Sequence, residues 1–231
     1  TQCCLLDLMA GSGTFSLEAA YMASGLIPGK CRDFALKHQP AFKPATWKHI
    51  VSSMDSLAPT GLRNDYKKAQ VCPIARIITS DISERAVNII RHNVECSPGV
   101  QVNPQLRDFF TYTAKEIADA CCARNNASIP ATRDKHAATR DKDKHAASDN
   151  DTQPVIVLNP PYGKRLDFDA PALYTRIGKK LAELARELEP FGKKLTVAIL
   201  APNDDPRPGS KFTCTANLLR ECPALDPQRN P

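Results

Sequence analysis

The chain has 231 residues, 42% of them apolar and 24% charged, enough to enclose one sizeable core and too few to promise two. Its late apolar run, Leu195 to Ala201, falls far short of the roughly 20 residues a membrane-crossing helix needs, so a soluble protein is expected. A net charge of +6 favours a polyanionic partner, because Lys and Arg that neutralise phosphates release condensed counterions.

The nine cysteines form no C-x-x-C pair, only the doublets Cys3-Cys4 and Cys121-Cys122, and their number is odd. Reduced thiols in a cytoplasmic protein are the expectation. The five histidines show no H-x-x-x-H pairing, so no metal centre is expected, and His38, His49 and His92 read as surface residues. The chain opens at Thr1 directly on an apolar segment, which suggests that an upstream part is missing.

In chain order, Cys3 to Leu8 is an apolar run that reads as a strand. Ala10-Gly11-Ser12-Gly13-Thr14 then makes a glycine turn, and Phe15, Leu17, Ala19, Ala20 and Met22 carry a helical pattern. Residues 26–70 contain Pro28, Pro40, Pro44 and Pro59 with scattered aromatics Phe34, Phe42 and Trp47; they read as an irregular insertion with a short helix near Trp47 to Met54. Ile74 to Ser80 is a second strand ending at Asp81, and Ser83 can cap a helix whose apolar side is Ala86, Val87, Ile90 and Val94.

Val100 to Leu106 reads as a third strand leading to Asp108-Phe109-Phe110. Val155 to Leu158 is a fourth, stopped by Pro160-Pro161. A helix from about Ala172 to Leu188 and a fifth strand, Leu195 to Leu200, follow. Between residues 121 and 153, Ala-Thr-Arg-Asp-Lys-His-Ala at 131–137 is nearly repeated at 138–146; so charged and apolar-poor a stretch reads as a disordered insert. Strands that are continuous apolar runs and alternate with helices indicate a parallel sheet covered on both faces, hence a doubly wound α/β fold in one domain over 1–231.

In such folds ligands sit beyond the carboxyl ends of the strands, and three loops lie there: Asp7 to Thr14, Asp81-Ile82 and Asn159 to Tyr162. Gly11 and Gly13 allow a sharp turn and close backbone approach to a ligand. A dinucleotide fingerprint would need glycine at position 16, which is Ser, and an acidic residue about 20 residues on, whereas Asp81 is far beyond. A shorter glycine turn suits S-adenosylmethionine, which has no pyrophosphate.

The run Val-Ile-Val-Leu-Asn-Pro-Pro-Tyr at 155–162 is the more specific element. Its prolines fix the backbone and remove two donors, so that the Asn159 side chain and the Pro160 carbonyl can accept hydrogen bonds from an exocyclic base amine while Tyr162 stacks on the ring. Such an amine is a poor nucleophile, and two acceptors holding its protons orient it without a strong base.

The segment Asp7-Leu8-Met9-Ala10-Gly11-Ser12-Gly13-Thr14-Phe15-Ser16-Leu17-Glu18 and the segment Asn159-Pro160-Pro161-Tyr162-Gly163-Lys164-Arg165-Leu166 together resemble the THUMP-associated RNA guanine-N2-methyltransferases, bacterial 23S rRNA methyltransferases of the L type among them. The resemblance extends to Leu26-Ile27-Pro28-Gly29, Phe34-Ala35, the Trp47 region and Ser80-Asp81-Ile82-Ser83 with Asn93. It implies a Rossmann-like core in which Asp7 and the loop Ala10, Gly11, Ser12, Gly13 and Thr14 line the methionine part of S-adenosylmethionine. Asp81 with Ile82 would hold the ribose end, Asp108 and Phe109 would flank the adenine, and Asn159, Pro160, Pro161 and Tyr162 would form the catalytic corner. The implied partner is ribosomal RNA, with no membrane and no metal. Methylation of an adenine or cytosine amine, or a catalytically inert RNA- or cofactor-binding domain, are the rival readings.

Overall fold

A strand buried on both faces must lie inside a sheet, and the first strand, β1 (Gln2–Asp7), is buried at every position from Cys3 onward. In the computed structural model, which describes residues 2–24, 34–57, 74–97, 102–122, 152–161, 169–207, 210 and 213–226, β1 is the centre of a five-stranded sheet. The other strands are β2 (Ile74–Asp81), β3 (Pro104–Leu106), β4 (Thr152–Leu158) and β5 (Thr196–Ile199). Their order is β3-β2-β1-β4-β5, and every pairing is parallel. The doubly wound α/β fold read from the strand and helix alternation is therefore the fold of the chain. No helix among the described residues is long and apolar enough to cross a membrane.

Alternate residues of a strand point to opposite faces, and each face of this sheet has its own helical cover. On one side Ala20 of α1 (Thr14–Ala23) and Ile90 of α3 (Glu84–Glu95) form a small cluster with Val102. On the other, Cys4, Leu6 and Leu8 join Ile156 and Leu158 beneath α4 (Ala114–Cys122), α5 (Ala170–Leu188) and α6 (Cys214–Glu221). Tyr174, Ile177, Leu181, Leu184 and Leu188 give α5 a fully buried stripe. Each such side chain contributes about 1.5–3 kcal/mol of transfer free energy.

Several boundaries differ from the sequence reading, each for a physical reason. The helix expected near Trp47 to Met54 is α2 (Pro44–Leu57), and Pro44 starts it because proline's fixed φ and missing donor suit a first helical turn. The third strand shrinks to three residues beginning at Pro104, an edge position that needs no donor there. The fourth begins at Thr152, three residues earlier than expected, and runs through Pro154. Because β5 pairs only from Val155 onward, β4 has a neighbour on one side alone at that point, where proline is tolerated. Helices α4 and α6 were not anticipated. The repeat-bearing insert of 121–153 lies, from residue 123 to 151, outside the described residues. The seven described cysteines are free thiols.

Helices α5 and α6 meet most closely at Gly178, where an added Cβ would lie 2.8 Å from the Leu218 carbonyl oxygen and 2.9 Å from Glu221 Cβ. In an exposed helix Gly→Ala is stabilising by roughly 1 kcal/mol. Here the obstacle is backbone, and the sign reverses: Gly178→Ala is expected to lower the unfolding free energy by about 1–3 kcal/mol. Urea denaturation of the two proteins checks this, and an unchanged or higher midpoint would contradict the packing described.

Candidate active site

The register of the sheet decides what meets at its upper edge. Asp7, the last residue of β1, pairs with Val157 of β4 and with Thr79 of β2. The segments leaving β1 and β4 therefore emerge side by side: Leu8 to Gly13 on one, Asn159 to Pro161 on the other. Asp81, which ends β2, pairs with Leu106 at the end of β3. All three loops singled out in the sequence thus open at one rim. The junction of β1 and β4 is also where the helical cover changes face, since α1 follows β1 on one side and α4 precedes β4 in the chain on the other.

The glycine turn is held from both flanks. Gly11 and Gly13 have φ of +56° and +78°, a region costly for residues with a Cβ. A Cβ on Gly13 would also lie 3.0 Å from the Cγ1 and Cγ2 atoms of Ile90, whereas one on Gly11 would meet nothing within 4 Å. Gly11 N–H donates to Asp81 Oδ2 at 2.9 Å, Asn93 Nδ2 donates to the Ser12 carbonyl at 3.0 Å, and Ala10 N–H donates to the Ser80 carbonyl at 3.1 Å.

Beneath the turn lies a buried polar thread. Asp7, 1% exposed, accepts at Oδ2 from Ser16 N–H at 3.1 Å and from Ser16 Oγ at 2.8 Å, and Thr79 Oγ1 donates to Ser16 Oγ at 2.7 Å. Gly13, the residue before α1, has no capping side chain, so the Asp7 carboxylate serves the first turn of the helix instead. Its second oxygen, Oδ1, is buried with no hydrogen-bond partner. Burial pushes the Asp7 carboxyl up to about 6; the Ser16 bonds pull it down and the Asp81 charge raises it further.

Asp81 is only partly buried, and each oxygen already accepts one backbone hydrogen, Oδ2 from Gly11 and Oδ1 from Ser83 at 2.8 Å. A carboxylate has about four acceptor sites, so roughly two remain for a ligand. Ile82 is 70% exposed and Leu106 on the adjacent strand 57%, an apolar pair beside that carboxylate. Asp108 accepts from Phe110 N–H at 3.0 Å and starts a short 3-10 turn. Phe109 differs from its expected place: its ring is 1% exposed and packs edge-on against Phe110 in the core.

At the other loop Asn159 is exposed, Pro160 buried and Pro161 exposed. The corner is braced where Leu200 N–H donates to the Leu158 carbonyl at 2.9 Å and Tyr174 Oη donates to the Leu200 carbonyl at 3.3 Å. Tyr162, Lys164 and Arg165 lie outside the described residues. Ser16, Thr79 and Leu106 were not singled out by sequence reading; Leu106 carries a signal only in hindsight, as an apolar residue at the end of a predicted strand.

Residues 2–116 match the UPF0020 family model, described as RMKL-like, methyltransferase domain. Over that segment the chain is similar to this family. It is 29% identical over 179 residues to the ribosomal RNA large subunit methyltransferase K/L of Shewanella sp. (strain W3-18-1), covering 76% of this chain and 19% of that protein. To the enzyme of the same name from Aliivibrio fischeri it is 29% identical over 204 residues, or 87% of this chain and 22% of the relative. The chain thus spans about a fifth of the length of these relatives. The crystal structure of SMU.472 complexed with SAH aligns with a TM-score of 0.45 at 22% identity, covering 84% of this chain and 42% of that one.

The methyl donor of this family is S-adenosylmethionine, and the residues at the rim fit such a molecule. Asp7 Oδ1 is an orphaned buried anion suited to a cationic ligand end. The open space above Gly11 accepts close approach, and Asp81 keeps spare acceptors beside the apolar pair Ile82 and Leu106.

Two expectations follow from the Asp7 thread. Between the carboxyl's ordinary 3.8 and about 6 the folded protein binds a proton that the unfolded chain does not. The stability this group contributes is full below the lower value and is lost as pH rises through the upper one. Asn in its place keeps an oxygen for Ser16 and cannot titrate, so Asp7→Asn should flatten the decline in unfolding free energy from pH 4 to 6; identical slopes in both proteins would refute a desolvated Asp7. Gly13→Ala, which adds left-handed strain to a tight contact, should cost about 1–3 kcal/mol in the same denaturation assay.

Proposed function

We propose that this domain transfers a methyl group from S-adenosylmethionine to the exocyclic N2 amine of guanine in 23S ribosomal RNA. The observation that carries the reading is the adjacency of β1 and β4: their carboxyl ends deliver the glycine turn and the Asn-Pro-Pro corner to the same rim. The relatives, named ribosomal RNA large subunit methyltransferases K/L, supply the substrate class.

When bound, S-adenosylmethionine supplies an electrophilic sulfonium methyl. The residues to hold it are Asp7 and the loop Ala10, Gly11, Ser12, Gly13 and Thr14, with Asp81, Ile82 and Leu106 toward the nucleoside and the Asp108 carboxylate beside them. Asn159 Oδ1 and the Pro160 carbonyl accept the two amine hydrogens, which fixes the direction of the nitrogen lone pair, and Tyr162 stacks on the base. The two prolines make the corner rigid, so little conformational freedom remains to be lost when the base arrives.

Tritiated methyl transfer to undermethylated ribosomal RNA, followed by nucleoside analysis, tests the proposal. N2-methylguanosine is expected. N6-methyladenosine or N4-methylcytidine would reassign the base, and cofactor binding without transfer would make this a binding domain. Asn159→Ala removes one acceptor from a preorganised pair and should lower turnover roughly 10²-fold, with cofactor affinity by calorimetry kept within a few-fold. Near-normal turnover would remove Asn159 from its role.

A further inference from the structure

Outside the residues assigned to the rim, the stretch from Phe34 to Ser52 contains Lys37, Lys43 and Lys48, with His38 and His49, and no acidic residue. It folds as a 3-10 turn (Ala35–His38) followed by α2. Its own small aromatic core joins the two. The Phe34 and Phe42 rings lie 5.6 and 6.1 Å from Trp47, tilted by 60° and 53°, and Lys37 Nζ stands 5.5 Å from the centre of the Trp47 ring.

This arrangement presents charge to solvent. With the aromatics turned toward one another, Lys43 and Lys48 are exposed, as are Leu36 at 57% and Ile50 at 47%. Solvated protein surfaces ordinarily intersperse both signs. A run of one sign on a rigid aromatic base is suited to a polyanion, because lysines that neutralise phosphates release condensed counterions. An anionic membrane is less suited, since Trp47 is drawn inward among Phe34, Phe42 and Lys37.

We infer that the exposed basic face of residues 34–52 is a docking surface for the backbone of the substrate RNA, separate from the Asn-Pro-Pro corner. The inference rests on the ribosomal RNA reading above and adds residues to it that the chemistry does not use. Phosphate contacts of this kind fix the position of the RNA and leave base selection to the corner.

The test compares the full chain with Lys43→Glu/Lys48→Glu and with Lys43→Arg/Lys48→Arg, using a 23S rRNA transcript and a shuffled RNA of equal length. The Glu variant should bind both RNAs at least tenfold more weakly, and its plot of log affinity against log salt should be shallower by about 2. The Arg variant should match the wild type, and thermal midpoints and S-adenosylmethionine affinity should be unchanged in both. Equal RNA affinity and slope in the Glu variant, or lysine-dependent binding to phosphatidylserine vesicles in place of RNA, would overturn the inference. Absence of methyl transfer by a wild type that still binds RNA through these lysines would overturn the functional reading and leave the docking surface standing.

Discussion

Parallel strands cannot be joined by a hairpin, so each connection must carry the chain back along a face of the sheet. In this protein β1 lies between β2 and β4, and the helices that follow β1 and precede β4 cover opposite faces. The carboxyl ends of β1 and β4 therefore emerge side by side at the same edge of the sheet. The glycine turn, the proline corner and the carboxylate ending β2 have their relation to one another because of this one constraint.

The turn itself depends on a group whose burial is costly. Asp7 leaves water, loses part of its acidity, and recovers stabilisation through Ser16, which is in turn held by Thr79 from the neighbouring strand. A hydrophobic residue at position 7 would be cheaper to bury, but it would leave the first turn of α1 without an acceptor. Asp81 has a similar double character: it ties down Gly11 and Ser83 while keeping acceptor capacity for something else. Structural support and binding capacity are thus carried by the same carboxylates.

Elements whose determinants are local could be read from the sequence. Continuous apolar runs marked three strands nearly complete and the second half of β4, Ser83 marked the start of α3, and the glycine turn and proline corner were visible as spacings. Helix α4 had an equally local mark that passed unnoticed: Thr113 and Glu116 exchange hydrogen bonds as a capping box, with Thr113 N–H and Oγ1 reaching Glu116 Oε2. Helix α6 had none. Its first-turn amides, Thr215 and Ala216, donate to Asp204, eleven and twelve residues upstream. The inward ring of Phe109 was equally hidden, because a Phe at a strand's end can face rim or core and only packing against Phe110 decides.

The two edges of the sheet are guarded unequally. The β3 edge has three residues and begins with proline, so it offers little to a foreign chain. The β5 edge, Thr196–Ile199, contains no proline and, among the described residues, has no outer neighbour. Growth of the sheet by strand addition, whether through further chain, a partner or self-association at high concentration, is therefore directed to one side, the side carrying the proline corner, while the side carrying Asp81 is closed to it.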